Sequence, residues 1–239
     1  MHKIKKSLSQ HFLIDKNVRN KIIKLTNIKN KKILEVGPGN GFLTDAIIEE
    51  NPKKLILIEK DRVLFEKLLM KYKDNKKITI YNYDFLKCNI KQFNKYTIIT
   101  NLPYNISSKF LQKIFYNNHI IKETIMMIQK EVAMKIDPSQ KKMNKYKFLL
   151  NLTSKFEHCF NVSPNVFFPK PKVQSSVVKI KSKNKKIDTL KLDNFIKILF
   201  NNKRKMVSNL IKIKSKNNYF SKRIEDLNFD ELKQILNFF

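Results

Sequence analysis

Glu35-Val36-Gly37-Pro38-Gly39-Asn40-Gly41 contains every glycine of this 239-residue chain. A composition that dispenses with glycine elsewhere keeps three within five consecutive positions. Only a residue without a Cβ takes positive φ at little cost and lets a ligand approach the main chain. Upstream, Ile33-Leu34-Glu35-Val36 reads as a strand, and downstream Phe42 to about Glu50 carries a helical pattern. The glycines therefore sit on a strand-to-helix crossing, where open α/β sheets bind nucleotides. Working outward, Leu55–Ile58, Ile78–Tyr81, Tyr96–Ile99 and Thr124–Ile128 read as further strands, with helices over Leu64–Tyr72 and Ser107–Tyr116. Continuous apolar strands alternating with amphipathic helices predict a parallel sheet covered on both faces. Phe156–Val162 and Ser175–Ile180 are placed to close it as an antiparallel hairpin. Lys181–Lys186 has no apolar residue and reads as a solvated linker. Helical patterns follow at about 191–200, 203–213 and 230–238, the last with Asp230 as its N-cap. The expected division is 1–181 for an α/β unit and 182–239 for a small helical one.

Spacing narrows the ligand. A dinucleotide fingerprint requires Gly-x-Gly-x-x-Gly, but its third position here is Phe42; a phosphate loop requires Lys-Ser/Thr after its last glycine, but Phe42 and Leu43 follow Gly41. Glu35-x-Gly37-x-Gly39-x-Gly41 instead matches the loop that methyltransferases use for S-adenosylmethionine, which carries no phosphate. Glu59, at the end of the second strand, is placed to accept from both ribose hydroxyls. Asp84, after the third, is placed to accept from the adenine amine of the cofactor. The fourth strand ends in Asn101-Leu102-Pro103-Tyr104. An exocyclic amine is a poor nucleophile because its lone pair is delocalised into the ring. The Asn101 side-chain oxygen and the Leu102 carbonyl, accepting its two hydrogens, would favour a tetrahedral nitrogen with a free lone pair. Pro103 would stiffen the turn, and Tyr104 is suited to stack on an extruded base. No His, Cys or carboxylate base is required, since the proton becomes acidic once the methyl has arrived.

On these residues the chain resembles the ribosomal RNA adenine dimethyltransferases, specifically the small-subunit type. The likeness covers nearly the whole chain. It starts at Ser9-Gln10-His11-Phe12-Leu13, similar to the family's Gly-Gln-Asn-Phe-Leu, and runs through Glu35–Gly39, Glu59-Lys60-Asp61, Asp84 and Asn101–Ser107. It continues through Gln129–Val132 and Phe167-Phe168-Pro169-Lys170-Pro171-Lys172-Val173 to the basic Phe200–Lys205. The resemblance implies a class I methyltransferase fold: a mostly parallel seven-stranded Rossmann-like sheet with a small C-terminal helical domain. It implies S-adenosylmethionine contacts at His11, Leu13, Gly37, Gly39, Glu59, Asp84 and Asn101. Tyr104 and Phe167 would flank the target adenine, on N6, of small-subunit ribosomal RNA or a pre-small-subunit particle. Three departures stand out: Ser9 for Gly, His11 for Asn, and Tyr146-Lys147 where Tyr-Gly is usual, which suggests a rebuilt loop there. Two alternatives remain: the antibiotic-resistance type, which acts on large-subunit RNA with the same machinery, and an inactive RNA-binding assembly factor that keeps the fold but not the activity. The resistance type usually lacks Pro38 and more often has Ile at Leu102. An adenine-specific DNA methyltransferase usually reads Asp/Asn-Pro-Pro-Tyr/Phe, which Leu102 does not fit.

Composition adds a weaker signal. Lys and Arg total 50 against 20 Asp and Glu, a formal charge of +30. Such a surface is drawn to polyanions. Arginine occurs only at 19, 62, 204 and 223, however, and a chain saturated with Lys, Asn and Ile also reflects AT-biased coding. Both origins of the charge stay open. Cys88 and Cys159 have no CxxC or zinc spacing, no apolar run is long enough to span a membrane, and no signal segment follows the basic start. We expect a cytoplasmic monomer without a metal.

Overall fold

The computed structural model describes residues 11–140, 142–211 and 217–239. Each short apolar run upstream of residue 130 forms a strand: β2 (Lys32–Val36), β3 (Lys54–Glu59), β4 (Ile78–Asn82), β5 (Thr97–Asn101) and β6 (Glu123–Gln129). With β7 (Ser154–Val162) and β9 (Ser175–Ser182) they make one seven-stranded sheet in the order β4-β3-β2-β5-β6-β9-β7. Pairing is parallel from β4 to β6, and β9 is antiparallel to both of its neighbours. The expected mostly parallel α/β sheet and its closing hairpin are both present. A separate two-stranded sheet pairs β1 (Phe12–Leu13) with β8 (Phe167–Phe168).

Period-2 alternation sorts the strand side chains into two buried layers. Leu34, Val36, Ile56, Ile58, Ile98 and Met126 face one cluster; Ile33, Leu55, Leu57, Ile99, Ile125 and Met127 face the other. The second layer is covered by α1 (Lys16–Ile23), α2 (Phe42–Glu49) and α3 (Arg62–Tyr72), through Ile22, Ile47 and Leu68. The first takes α4 (Ser107–Tyr116), α5 (Lys130–Ile136) and α6 (Lys145–Thr153), and it continues without a break into α7 (Thr189–Phe200) and α8 (Phe229–Leu236). Phe148 of α6 is the hinge of that continuity, with Phe195, Phe200 and Phe229 around it.

Three local expectations are corrected. Residues 203–211 of the expected 203–213 helix are not helical, apart from a short 3₁₀ turn at Val207–Asn209, and 212–213 lie outside the described residues. Met206 there bridges Arg223, and the main chain of 205–207 is drawn into pairing with 222–224, which competes with helix formation. The N-cap of α8 is Asn228, not Asp230. Asn228 and Glu231 exchange side-chain and main-chain hydrogen bonds at 2.9 Å in a capping box. Lys147 is not in a loop but in the first turn of α6, capped by Asn144, and is only 1% exposed. Its ammonium donates to the carbonyls of Gln140 and Lys142, tying the preceding loop to the helix. Burial, opposed by the charge of Asp137, holds its pKa below the usual lysine range.

Candidate active site

The carboxyl ends of β2, β3 and β5 and the turn after β4 open onto one cavity of ≈ 380 Å³. It is lined by His11, Leu13, Gly37, Gly39, Glu59, Asp84, Asn101, Leu102 and Tyr104 among others. Nine of the ten residues expected at the cofactor or the target base therefore line one cavity. Phe167 is the exception. It is 3% exposed and packs in the layer that holds Leu13 and Val162, not on the cavity wall. Its place follows from strand alternation: β8 turns Phe167 inward with Leu13, leaving Phe168 outward with Phe12. Ser9 and Gln10 lie outside the described residues.

The glycine loop is shaped by what lies on it. All three glycines have positive φ. Gly39 has a second constraint, since a Cβ there would stand 2.9 Å from the Phe12 ring. The N-terminal strand thus lies directly over the loop. Glu59 closes the loop from below: one carboxylate oxygen accepts from the Gly39 N–H at 3.1 Å and the other from the Asp61 N–H at 2.8 Å. Each oxygen keeps a lone pair for a hydroxyl in the cavity. Burial pushes the Glu59 carboxyl up, against the pull of those amides. Glu35, beside it at the base of the loop, is 1% exposed and accepts from the Thr44 hydroxyl at 2.6 Å. Burial pushes its carboxyl up to about 8. Asp84 behaves oppositely. Partial burial favours its neutral form but is outweighed by the Lys60 ammonium at 3.0 Å and the Leu86 N–H at 2.9 Å, so its carboxyl lies below the usual range.

The turn after β5 is gripped from outside its own strand. Asn101 Nδ2 donates to the His11 carbonyl at 3.2 Å, which fixes the amide and leaves Oδ1 as an acceptor without a donor among the described residues. The Leu102 side chain is buried against Gly37, and its carbonyl accepts no hydrogen bond among the described residues. Tyr104 is held twice. Its hydroxyl and the buried Ser175 hydroxyl are 2.6 Å apart, and its ring lies 5.5 Å from the His11 ring at 29°. His11 Nδ1 is 2.8 Å from the Pro169 carbonyl. Burial raises the Tyr104 phenol, opposed by Ser175.

No role was assigned from the sequence to Phe12, Glu35, Phe85 or Ser175. Glu35 and Phe12 stood within quoted motifs, so their position was visible but not their contacts. Phe85 lines the cavity beside Phe110, at 5.3 Å between ring centres. Nothing in its local pattern separates it from a core aromatic. Among the described residues, no group of three or more His, Cys, Asp or Glu is placed to hold a metal ion, and no helix is long and apolar enough to cross a membrane.

Residues 1–238 match the family of ribosomal RNA adenine dimethylases. The chain belongs to that family. Ribosomal RNA small subunit methyltransferase A of Malacoplasma penetrans is 40% identical over 209 residues, covering 83% of this chain and 74% of its own. The protein of the same name from Mesomycoplasma hyopneumoniae strain 232 is 38% identical, covering 98% and 87%. In fold, a dimethyladenosine transferase from Plasmodium falciparum superposes with a TM-score of 0.77 at 23% identity, covering 94% of this chain and 96% of that one. The 23S ribosomal RNA methyltransferase ErmE reaches 0.74 at 18% identity, covering 95% and 98%. Both show a shared class I methyltransferase fold. The chain is an adenine dimethyltransferase of ribosomal RNA, and the family's methyl donor is S-adenosylmethionine. The cavity suits that donor: its size is within the usual span of ligand pockets, its glycine loop has no Cβ to bar close approach, and a buried carboxylate stands at the end of β3.

Proposed function

We propose that this chain dimethylates the N6 amines of adjacent adenines in the 3′-terminal hairpin of small-subunit ribosomal RNA during small-subunit biogenesis. The observation that carries the choice of subunit is the name shared by eight relatives at 35% to 42% identity, each a ribosomal RNA small subunit methyltransferase A. Pro38 and Leu102 favour the same reading over the large-subunit resistance type, and the intact Asn101–Tyr104 turn favours it over an inactive assembly factor.

In this reading Glu59 accepts from the ribose hydroxyls, and Asp84 from the cofactor's adenine amine, sharing its carboxylate with Lys60. Gly37, Gly39, His11 and Leu13 line the methionine side. When bound, S-adenosylmethionine supplies a methyl group on a positively charged sulfur that departs with the bonding electrons. The chain prepares the nucleophile. Asn101 Oδ1 and the Leu102 carbonyl accept hydrogen bonds from the two amine N–H groups, so the nitrogen lone pair is freed from the ring and points at the methyl group. The proton left on nitrogen after the transfer is acidic and passes to solvent. Tyr104, locked by Ser175 and His11, stacks on the base, and Phe167 supports it from behind Leu13. Residues 1–181 carry this chemistry and 182–239 bind RNA. The protein works as a cytoplasmic monomer on small-subunit RNA or its precursor particle, without a metal.

Unmethylated small-subunit and large-subunit particles, offered side by side with a labelled methyl donor, test the reading. Label should enter the small-subunit RNA; preferential labelling of the large-subunit RNA would replace it with the resistance-type activity.

A further inference from the structure

The segment after β8 presents a ring and two cations beside the cavity, and the fold uses none of them. Across the two-stranded sheet Phe12 faces Phe168, and Leu13 faces Phe167. Leu13 and Phe167 are buried, at 3% exposure each, whereas Phe168 on the opposite side is 63% exposed. A single exposed apolar side chain is ordinary on a protein surface. Phe168 differs in its address. Its strand partner Phe12 lies on Gly39 of the cofactor loop, and its chain neighbour Pro169 holds the His11 ring, which in turn stacks on Tyr104. Lys170 and Lys172 follow, both exposed, and neither makes an ion pair or hydrogen bond among the described residues. An open aromatic face with unengaged cations two and four residues away is the chemistry that holds single-stranded nucleic acid, by stacking on a base and by contact with phosphate.

We propose that Phe168 stacks on the nucleobase next to the adenine being methylated, with Lys170 and Lys172 against the phosphates of that flanking nucleotide. The inference rests on the RNA substrate proposed above. It gives the enzyme two ring contacts on consecutive nucleotides: Tyr104 inside the cavity on the target, Phe168 outside it on the neighbour. Holding the neighbour fixes the backbone from which the target base is extruded, so the contact acts mainly on capture of the RNA.

Phe168→Ala and Phe168→Trp, with the intact protein, test this on two substrates. On unmethylated small-subunit particles, Phe168→Ala should raise KM roughly 10-fold, within the span of base–aromatic stacking. Its kcat should stay within about two-fold, with Phe168→Trp restoring KM. On a synthetic 3′-terminal hairpin, Phe168→Ala should weaken binding by a similar factor. That loss should vanish when one of the two nucleotides flanking the target adenine is made abasic. Replacing Lys170 and Lys172 together by Ala should lower the salt slope of log K by about 1.4, at roughly 0.7 per single-strand phosphate contact. An unchanged KM in Phe168→Ala, or a loss that persists whichever flanking base is removed, would overturn the proposal and leave the ring to a protein partner. Failure of the parent protein to methylate small-subunit particles would instead sink the functional reading on which it rests.

Discussion

Asn101 is oriented by the main chain of His11, ninety residues upstream, and its amide nitrogen is spent on that contact. The oxygen is therefore presented to the cavity before any substrate arrives. Asn101→Ala should lower single-turnover methyl transfer by about 10²–10³, the loss typical of deleting a preorganised polar group at a reacting centre. Transfer at the parent rate, with cofactor and RNA saturating, would show that the amine is activated elsewhere. Glu35 carries a prediction in pH. Its folded carboxyl is raised from 4.5 to about 8 by burial, so the neutral form suits the fold. Its contribution to stability is complete below about pH 4.5 and is lost as pH rises through about 8. Glu35→Gln stays neutral throughout, so its melting temperature should gain on the parent's between about pH 5 and pH 8.5, by roughly 2–4 °C per kcal/mol. A pH-independent difference in thermal melts would contradict the assignment. Most of the site was legible at this scale because Glu59, Asp84 and Asn101 sit at strand ends, where residue type and position together announce a role. The partners that aim them were not. Ser175 on Tyr104 and Phe12 on Gly39 join residues 71 and 27 positions apart, and no local pattern encodes such a meeting.

At the scale of elements, the central strands β2, β3, β5 and β6 were readable because each is a short apolar run bounded by polar turns, and burial on both faces writes that pattern strongly. The β1–β8 pair has two residues in each strand, too few for alternation to register, and it is what places Phe167 inward and Phe168 outward. The 203–211 stretch fails as a helix for a related reason: its main chain finds a distant partner at 222–224, which periodicity cannot see. The N-terminal strand and the glycine loop behave as one unit through Phe12 and Gly39. Gly39→Ala adds a Cβ at φ +61°, about 1–2 kcal/mol unfavourable for an L side chain, and drives it against the Phe12 ring. Calorimetry should show S-adenosylhomocysteine binding weakened about 10-fold or more in this variant, with Phe12→Ala recovering part of the loss by making room. Unchanged affinity in Gly39→Ala would mean that the strand does not rest on the loop.

Across the whole molecule, the buried layer under β2 and β5 runs through Phe148 into α7 and α8, so the segment proposed to bind RNA shares a core with the segment proposed to carry chemistry. RNA held by the C-terminal helices, if that segment binds it as proposed, would thereby be referenced to the cavity through packed side chains. The formal charge of +30 has two origins to separate, recognition and coding bias. Lys203, Arg204 and Lys205 are exposed on the turn after α7. Replacing the three by Ala should lower the salt slope of log K for small-subunit RNA by roughly 0.7–0.9 for each phosphate they neutralise; an unchanged slope would assign that charge to composition. The central claim is tested most directly by mass mapping of small-subunit RNA after incubation of unmethylated particles with S-adenosylmethionine and the purified protein. The account predicts two adjacent N6,N6-dimethyladenosines in the 3′-terminal hairpin, and a far smaller extent of modification over the same time when Asn101→Ala replaces the parent. An unmodified hairpin, or methyl groups at any other base, would contradict it.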